Sequence, residues 1–120
     1  MIKIIVTGVA GKMGSTIIKV ISSDTNFKLV GATEQASHKL LGQDVGEISG
    51  IGKTGIKIVS DLVQIISDCD VVIDFTLPIS TLENIKIAAT ANKAIVIGTP
   101  GLSSEEKKEI ENFAIKIPCV

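Results

Sequence analysis

The sequence predicts an α/β fold with a doubly wound parallel sheet, and three observations support this fold class. Short β-branched runs alternate with stretches of helical periodicity along the 120 residues. Most of these runs are nearly continuously apolar, as is typical of strands buried on both faces of a parallel sheet. The first run leads directly into a series of glycines that opens a helix. A chain of this length has room for one well-packed core, so we expect a single domain.

Five segments are predicted to be strands because β-branched and other apolar residues follow one another in them. They are residues 2–7, 28–32, 56–59, 71–75 and 94–97. The last four residues, 117–120, have the composition of the start of a sixth strand. Doubly wound sheets of six strands normally continue from this point into a substrate-binding part. We therefore expect that this single domain, residues 1–120, is truncated before a substrate domain.

Helices are predicted between these strands. The first contains an apolar stripe at helical spacing, formed by Met13, Ile17, Val20 and Ile21. A second helix is predicted over residues 61–67. Two further helices, at residues 85–91 and 110–115, follow patterns typical of capping boxes. These patterns are Ser80 with Glu83 and Ser103 with Glu106. The glycine-rich segment 34–55 lacks periodicity and is predicted to be a long loop.

Composition and charge exclude several classes of function. The formal net charge is −1, and acids and bases are spread along the chain, so the basic stripe of a nucleic-acid-binding protein is missing. No apolar run approaches the roughly 18 residues that span a bilayer. The first six residues have neither a basic leader nor a signal cleavage site. We expect a soluble, cytoplasmic protein that binds neither nucleic acid nor membrane.

Several reactive residues are predicted to have no chemical role. Cys69 and Cys119 lie far apart without the paired spacing of a metal or redox site, so we expect buried free thiols and no metal. His38 lies in a polar segment without a partner at fixed spacing, which is typical of a solvated loop histidine. Asp68 and Asp70 are explained by a turn before a strand.

Three glycines, Gly8, Gly11 and Gly14, follow the first predicted strand and open the first helix. Their pattern is G-x-x-G-x-x-G, a variant of the common dinucleotide fingerprint G-x-G-x-x-G. The first glycine allows a tight turn, the second lets backbone amides approach a pyrophosphate, and the third lets the helix lie close to the strand. The amino end of the helix would then face the phosphates. The pattern predicts a Rossmann-type pyrophosphate site, and hence a dinucleotide-binding domain over residues 1–120, with a purely structural glycine turn as the alternative.

Glu34 lies at the end of the second predicted strand, twenty residues after Gly14. A carboxylate at this position can accept hydrogen bonds from both hydroxyls of an adenosine ribose, although a random surface glutamate remains the alternative. The same carboxylate would repel a 2′-phosphate, and Gln35, which follows, cannot offset that repulsion as an arginine would. All twelve basic residues are lysines, of which Lys12 and Lys39 could supply point charges. NADH is therefore weakly favoured over NADPH.

Two further segments, residues 74–76 and 98–101, end the fourth and fifth predicted strands. Ligands of open α/β sheets bind at the carboxyl edge, where these segments would lie. Their position indicates the nicotinamide end of a dinucleotide site. Ordinary turns at strand ends are the alternative explanation.

Five segments that include these motifs resemble the nucleotide-binding half of the dihydrodipicolinate reductase family in their order and separation. They are residues 8–14, 41–47, 52–55, 70–76 and 96–99. The resemblance implies an NAD(P)H-dependent reductase that transfers hydride to a dihydrodipicolinate-type substrate on the diaminopimelate route to lysine. The family's catalytic His-His and Lys motif and its Ser-Gly-Thr substrate segment belong to a following domain. The resemblance therefore implies that no catalytic residue lies in this chain.

The resemblance also implies which residues contact the cofactor. The pyrophosphate would be held by Gly8, Val9, Ala10, Gly11, Lys12 and Met13. Glu34 would bind the adenosine ribose, and the nicotinamide side would be formed by Phe75, Thr76, Gly98, Thr99 and Pro100. Pro100 replaces a threonine usual in the family, which removes a hydroxyl and an amide donor. Gln35 replaces the arginine of some members, which further disfavours NADPH.

The resemblance also implies that the parent protein is a tetramer held together largely through the following domain. We therefore expect the 120-residue chain to bind cofactor, to be inactive alone, and to be a monomer or a weak oligomer. Two alternatives stay open. One is a stand-alone NAD(H)-sensing module, and the other is the cofactor domain of another two-domain dehydrogenase of the aspartate or homoserine type.

Overall fold

The computed structural model describes residues 1–98 of the chain. These residues form one five-stranded sheet of parallel strands in the order β3-β2-β1-β4-β5. The strands are β1 Ile2–Thr7, β2 Phe27–Thr33, β3 Ile58–Val59, β4 Val71–Asp74 and β5 Ala94–Ile97. The predicted bounds of β1 and β5 are confirmed. The other three strands differ from the predicted bounds by one or two residues, β2 at both ends and β3 and β4 at one end. The predicted sixth strand and the helix after Ser103 lie outside the described residues.

Helices cover both faces of the sheet, which confirms the doubly wound arrangement. They are α1 Lys12–Ser23, α2 Val45–Ser49, α3 Leu62–Ile65, which continues into a 3₁₀ turn at Ile66–Asp68, and α4 Pro78–Thr90. Helices α1 and α2 pack over one core, to which β1 contributes Ile4 and Val6. Helices α3 and α4 pack over the other core, to which β1 contributes Ile5. Among residues 1–98, no helix combines the length and the apolar character that crossing a bilayer would require.

The side of helix α1 that packs on the sheet differs from the predicted side. Its buried residues are Gly14, Ile18 and Ile21. Met13 and Val20, two members of the predicted stripe, are 59% and 52% exposed. A Cβ at Gly14 would lie 2.7 Å from the carbonyl carbon of Val9, so the glycine is what lets the helix approach the preceding turn. This close approach, rather than the hydrophobicity of Met13, decides which face is buried.

The predicted capping box at Ser80 and Glu83 is wrong, because α4 begins earlier. The helix starts at Pro78, with Leu77 as its N-cap and no side-chain hydrogen bond at that cap. Proline is common in the first turn because the backbone amide that it lacks has no intrahelical acceptor there. Ser80 is therefore already inside the helix.

The glycine-rich segment predicted as a loop contains helix α2, so that prediction is wrong in this part. Asp44 caps α2 by accepting hydrogen bonds from the amides of Gly46 at 2.8 Å and Glu47 at 3.3 Å. Its carboxylate also accepts from the amides of Thr54 and Gly55. Partial desolvation raises the pKa of Asp44, but the hydrogen bonds outweigh it and hold the pKa well below the ordinary value. The spacing of Asp44 and Glu47 is a helix-start signal that could have revealed α2.

Candidate functional site

A cleft of about 330 Å³ lies at the carboxyl edge of the sheet, where β1, β2 and β4 end. Its lining includes six of the predicted cofactor residues, namely Gly8, Ala10, Gly11, Glu34, Phe75 and Thr76. Strand β1 has β2 on one side and β4 on the other, so the direction of winding reverses at this place. Open α/β sheets bind their ligands at such a switch point. The structure thus brings together residues that lie far apart in the sequence, at the edge expected for a ligand.

The glycine turn after β1 is shaped by Gly8 and tied to the neighbouring strand. Gly8 has a φ of +70°, and a Cβ there would lie 2.8 Å from the carbonyl oxygen of Phe75. The amides of Gly8 and Val9 both donate to the carbonyl oxygen of Thr33, at 3.1 and 3.3 Å. The predicted tight turn is confirmed. The side chain of Val9 is only 2% exposed, so this predicted cofactor residue packs in the core and could offer a ligand only its backbone.

Gly11 differs from the other two glycines of the turn. A Cβ added at Gly11 would have no neighbouring atom within 4 Å, and its φ of −79° suits any residue. Neither the packing nor the backbone of the described protein therefore requires a glycine here. The space beside Gly11 belongs to the cleft, at the position where backbone amides would approach a pyrophosphate.

Gly11 is also the N-cap of α1, and its cap has no side-chain hydrogen bond. The first-turn amides of a helix have no intrahelical acceptor, and the aligned peptide dipoles make this end positive. The first turn contains no acidic residue, and it carries Lys12. Lys12 and Met13 are exposed there. This end of α1 has the charge and the donors that an anionic group such as a pyrophosphate requires.

Glu34 is held in a fixed orientation between the glycine turn and its own backbone. Its Oε2 accepts a hydrogen bond from the amide of Ala10 at 2.9 Å, and its Oε1 accepts from the amide of Gln35 at 3.0 Å. Each carboxylate oxygen has capacity for a second hydrogen bond. The predicted location of Glu34 at the end of β2 is confirmed, and the carboxylate is oriented without its acceptor capacity being exhausted.

Phe75 forms the opposite side of the cleft and packs against the end of β5. The amide of Phe75 donates to the carbonyl oxygen of Thr7 at 3.1 Å, and the amide of Gly98 donates to the backbone carbonyl oxygen of Asp74 at 2.8 Å. A Cβ at Gly98 would lie 2.7 Å from the Cδ1 atom of the Phe75 ring. The ring therefore packs directly on Gly98. The predicted nicotinamide contacts of Thr99 and Pro100 lie outside the described residues.

Asp74 is a buried carboxylate below the cleft; the sequence placed it in the segment 74–76 at the end of β4 but did not reveal its hydrogen-bond network. It is fully buried, and its oxygens accept hydrogen bonds from three threonine hydroxyls and one amide. These donors are Thr7 at 2.5 Å, Thr81 at 2.6 Å, Asn84 at 2.8 Å and Thr76 at 2.9 Å. A buried carboxylate requires such donors to replace water. Asp74 therefore joins β1, the turn after β4 and helix α4, and so positions Thr76 at the cleft.

A second, smaller cleft of about 160 Å³ adjoins the first and shares Glu34, Gln35 and Thr76 with it. It extends between Leu62 at the start of α3 and Asn84 on α4. The two clefts together form one groove that runs across the carboxyl edge of the sheet, with Glu34 at their junction.

His38 is half-buried and lines the larger cleft, rather than lying in solvent as predicted. Its Nδ1 accepts a hydrogen bond from the amide of Leu40 at 3.1 Å. Its backbone amide donates to the carbonyl oxygen of Gln35 at 2.9 Å. The loop after β2 thus folds back so that His38 and Glu34 lie in the same cleft.

Two of the remaining reactive residues, Cys69 and Asp70, behave as predicted. Cys69 is a buried free thiol, and burial raises its pKa to about 11. Asp70 accepts a hydrogen bond from the amide of Lys3 at 2.9 Å, which ties the turn before β4 to β1. Within residues 1–98, no group of histidine, cysteine and acidic side chains is placed to hold a metal ion. Cys119 lies outside the described part of the chain.

The sequence matches a family profile described as "Dihydrodipicolinate reductase, N-terminus" over residues 2–120. The 4-hydroxy-tetrahydrodipicolinate reductase of Syntrophus aciditrophicus is 42% identical over 120 residues, which are 100% of this chain and 45% of that protein. The enzyme of the same name from Acinetobacter baumannii is 39% identical over 115 residues, which are 96% of this chain and 42% of that protein. The chain thus spans less than half the length of these curated relatives.

Solved structures agree with this relationship. A dipicolinate-bound dihydrodipicolinate reductase from Paenisporosarcina sp. TG-14 aligns with a TM-score of 0.73 and 26% identity, over 95% of this chain and 43% of that one. An amine dehydrogenase from Mycobacterium smegmatis aligns with a TM-score of 0.76 and 23% identity, over 94% of this chain and 36% of that one, and shows the shared fold alone. Fold, ordered motifs and family profile agree, and the chain belongs to the dihydrodipicolinate reductase family, whose N-terminal domain it matches.

Proposed function

We propose that this chain binds NADH or NADPH as the cofactor domain of a 4-hydroxy-tetrahydrodipicolinate reductase. The observation that carries the proposal is the carboxylate of Glu34, which is held 2.9 Å from the amide of Ala10 in the glycine turn. This contact puts an acceptor for ribose hydroxyls next to the anion-binding end of α1. An adenosine diphosphate group needs these two features side by side.

The described residues fit the parts of a dinucleotide in order. The pyrophosphate would lie at the glycine turn and the start of α1, where the missing Cβ of Gly11 leaves room. The ribose hydroxyls would donate to Glu34, and the adenine would enter the smaller cleft beside Leu62. The nicotinamide would lie toward Phe75 and Gly98, with Thr99 and Pro100 following directly in the sequence.

The bound cofactor would supply a hydride to the dihydrodipicolinate-type substrate on the diaminopimelate route to lysine. The residues of this chain bind and orient the dinucleotide, and none is assigned to proton transfer. The relatives extend well beyond the region that they share with this chain, since it covers 42% to 45% of their lengths. We therefore assign substrate binding and catalysis to that further part, which the parent protein would carry as a second domain.

The balance of charge around Glu34 favours NADH weakly. Its carboxylate would repel a 2′-phosphate, and the sequence offers lysines but no arginine to form a bidentate contact. Lys12 and Lys39 are exposed and can still contribute point charges. We expect NADH to bind at least as tightly as NADPH.

Calorimetric titration with NADH and NADPH tests the proposal. Glu34→Ala should weaken NADH binding by about tenfold or more, because hydrogen bonds to a carboxylate contribute roughly 1.5–3 kcal/mol. Glu47→Ala removes an exposed glutamate of α2 outside both clefts, and should bind like the wild type. A folded wild-type chain that binds neither nucleotide would contradict the proposal.

Activity and assembly provide two further tests. The purified chain should not oxidise NADH in the presence of the substrate, because we place the substrate site in the further part of the parent protein. Light scattering should show a monomer or a weak oligomer, since the family's tetramer is expected to depend on that part. Turnover by the chain alone, or a stable tetramer, would contradict these assignments.

A further inference from the structure

We propose that His38 takes part in recognising the 2′ position of the adenosine ribose, by donating a hydrogen bond from its Nε2 atom. The acceptor would be the 2′-hydroxyl of NADH or the 2′-phosphate of NADPH. This inference rests on the proposed function, because it assigns a residue to one part of the same dinucleotide. Three observations carry it, namely the tautomer of the ring, its place in the cleft and the acceptor chemistry of Glu34.

The tautomer follows from a hydrogen bond within the loop. The amide of Leu40 donates to Nδ1 of His38 at 3.1 Å. A ring nitrogen that accepts a hydrogen bond carries no proton, so the neutral ring has its proton on Nε2. A doubly protonated ring would lose the Leu40 contact, because both nitrogens would then be donors. The hydrogen bond from Leu40 therefore leaves Nε2 as the donor nitrogen of the His38 ring.

The position of His38 follows from a short chain of hydrogen bonds. The amide of Gln35 donates to Oε1 of Glu34 at 3.0 Å, and the carbonyl oxygen of Gln35 accepts from the amide of His38 at 2.9 Å. The carbonyl oxygen of His38 accepts from the amide of Leu41 at 3.3 Å, which fixes the other side of the turn. The half-buried ring lines the same cleft as Gly11 and Glu34.

The chemistry of the 2′ position requires a donor as well as an acceptor. A ribose hydroxyl that donates to Glu34 still has lone pairs that can accept a hydrogen bond. A 2′-phosphate has only acceptor oxygens when it is fully ionised, so Glu34 cannot bind it and donors must. Since the sequence contains no arginine, the Nε2 hydrogen of His38 is a suitable donor already present in the cleft.

Two substitutions separate this role from a structural role in the loop. His38→Asn places an amide near the position of Nδ1, so its oxygen can accept from Leu40 while the Nε2 donor is lost. His38→Gln reaches the position of Nε2 with an NH₂ group, so it keeps a donor there while the Leu40 contact is lost. Binding of NADH, NADPH and the 2′-deoxy analogue of NADH is measured by calorimetry for both variants, and thermal melting reports the stability of each.

We expect His38→Asn to weaken the binding of NADPH by about tenfold and that of NADH by about threefold. A hydrogen bond to a charged phosphate is stronger than one to a neutral hydroxyl. Binding of the 2′-deoxy analogue should be unchanged, and His38→Gln should restore most of the affinity for NADPH. The inference would be overturned if His38→Asn bound NADPH as tightly as the wild type does. It would also be overturned if the substitution weakened binding of the 2′-deoxy analogue as much as it weakened binding of NADH.

The same titrations distinguish this inference from the function on which it rests. If Glu34→Ala weakens NADH binding while His38→Asn changes no affinity, only the assignment of His38 is overturned. If the folded wild-type chain binds none of the three nucleotides, the proposed function and the inference are both overturned.

Discussion

The carboxylate of Glu34 accepts a hydrogen bond from the backbone amide of Ala10, 2.9 Å away, and so joins the end of β2 to the turn that follows β1. In the proposed mode of binding its negative charge lies beside the adenosine ribose, and this charge should govern cofactor choice. Glu34→Gln keeps an oxygen that can accept from Ala10 but removes the charge. We expect the ratio of NADPH to NADH affinity to rise by about tenfold, because one like-charge contact is relieved.

Calorimetric titration of both nucleotides measures this ratio, and Glu47→Gln is the control for a change of net charge alone. The control should leave the ratio unchanged. An unchanged ratio in Glu34→Gln would mean that the 2′ position lies away from this carboxylate.

Gly11 and Gly14 should respond differently to the same added methyl group. A Cβ at Gly11 has no neighbour within 4 Å, whereas a Cβ at Gly14 would lie 2.7 Å from the backbone of Val9. Gly11→Ala should cost only about 0.5 kcal/mol through the poorer N-cap, yet it should weaken dinucleotide binding by occupying the cleft. Gly14→Ala should destabilise the fold by about 1–3 kcal/mol through overpacking.

Thermal melting of the two variants measures the loss of stability, and titration with NADH measures the loss of binding. Full NADH affinity in Gly11→Ala would show that no pyrophosphate lies against this glycine.

Local patterns were sufficient to predict the sheet and the edge of the sheet at which the candidate cleft lies. Nearly continuous apolar runs predicted all five described strands, because burial on both faces of the sheet disfavours polar residues in them. The spacing from Gly14 predicted that Glu34 would end β2. The contact between Glu34 and Ala10 also depends on the parallel register of β1 and β2, in which Thr7 pairs with Thr33.

Features that depend on three-dimensional packing, rather than on a local sequence pattern, were missed or mistaken. Hydrophobicity predicted Met13 on the buried side of α1, but the close approach of Gly14 to Val9 turns that residue outward. His38 has no partner at a fixed sequence spacing, and only the fold of its loop brings it into the cleft. The donors around Asp74 come from three separate elements, so no local pattern could reveal them.

Asp74 should be important for stability because its carboxylate is fully buried among donors. Asp74→Ala would leave Thr7, Thr81 and Asn84 without this acceptor, and we expect a loss of about 3 kcal/mol or more in the free energy of unfolding. Asp68→Ala, at an exposed position six residues earlier, should change stability by less than about 0.5 kcal/mol. Urea denaturation of both variants measures the difference, and equal stabilities would show that the network contributes little.

Asp44 should make the stability of the fold depend on acid pH. Its pKa is held below the ordinary value in the folded chain, despite partial desolvation, by hydrogen bonds from Thr54, Gly55 and Glu47. The folded state therefore binds fewer protons than the unfolded state when the pH falls below about 4, the ordinary pKa of an aspartate. The stabilisation from Asp44 is present above that pH and is lost as the pH falls toward the folded-state pKa.

Thermal melting between about pH 6 and pH 2.5 tests this dependence, with Asp44→Asn as the comparison because it has no proton to bind in this range. The wild type should be the more stable protein at neutral pH, where the ionised carboxylate accepts hydrogen bonds on both oxygens. Below about pH 4 the difference between the two melting temperatures should shrink, because protonation converts one of those acceptors into a donor. Parallel melting curves at every pH would mean that Asp44 has the same proton affinity in the folded and unfolded chain.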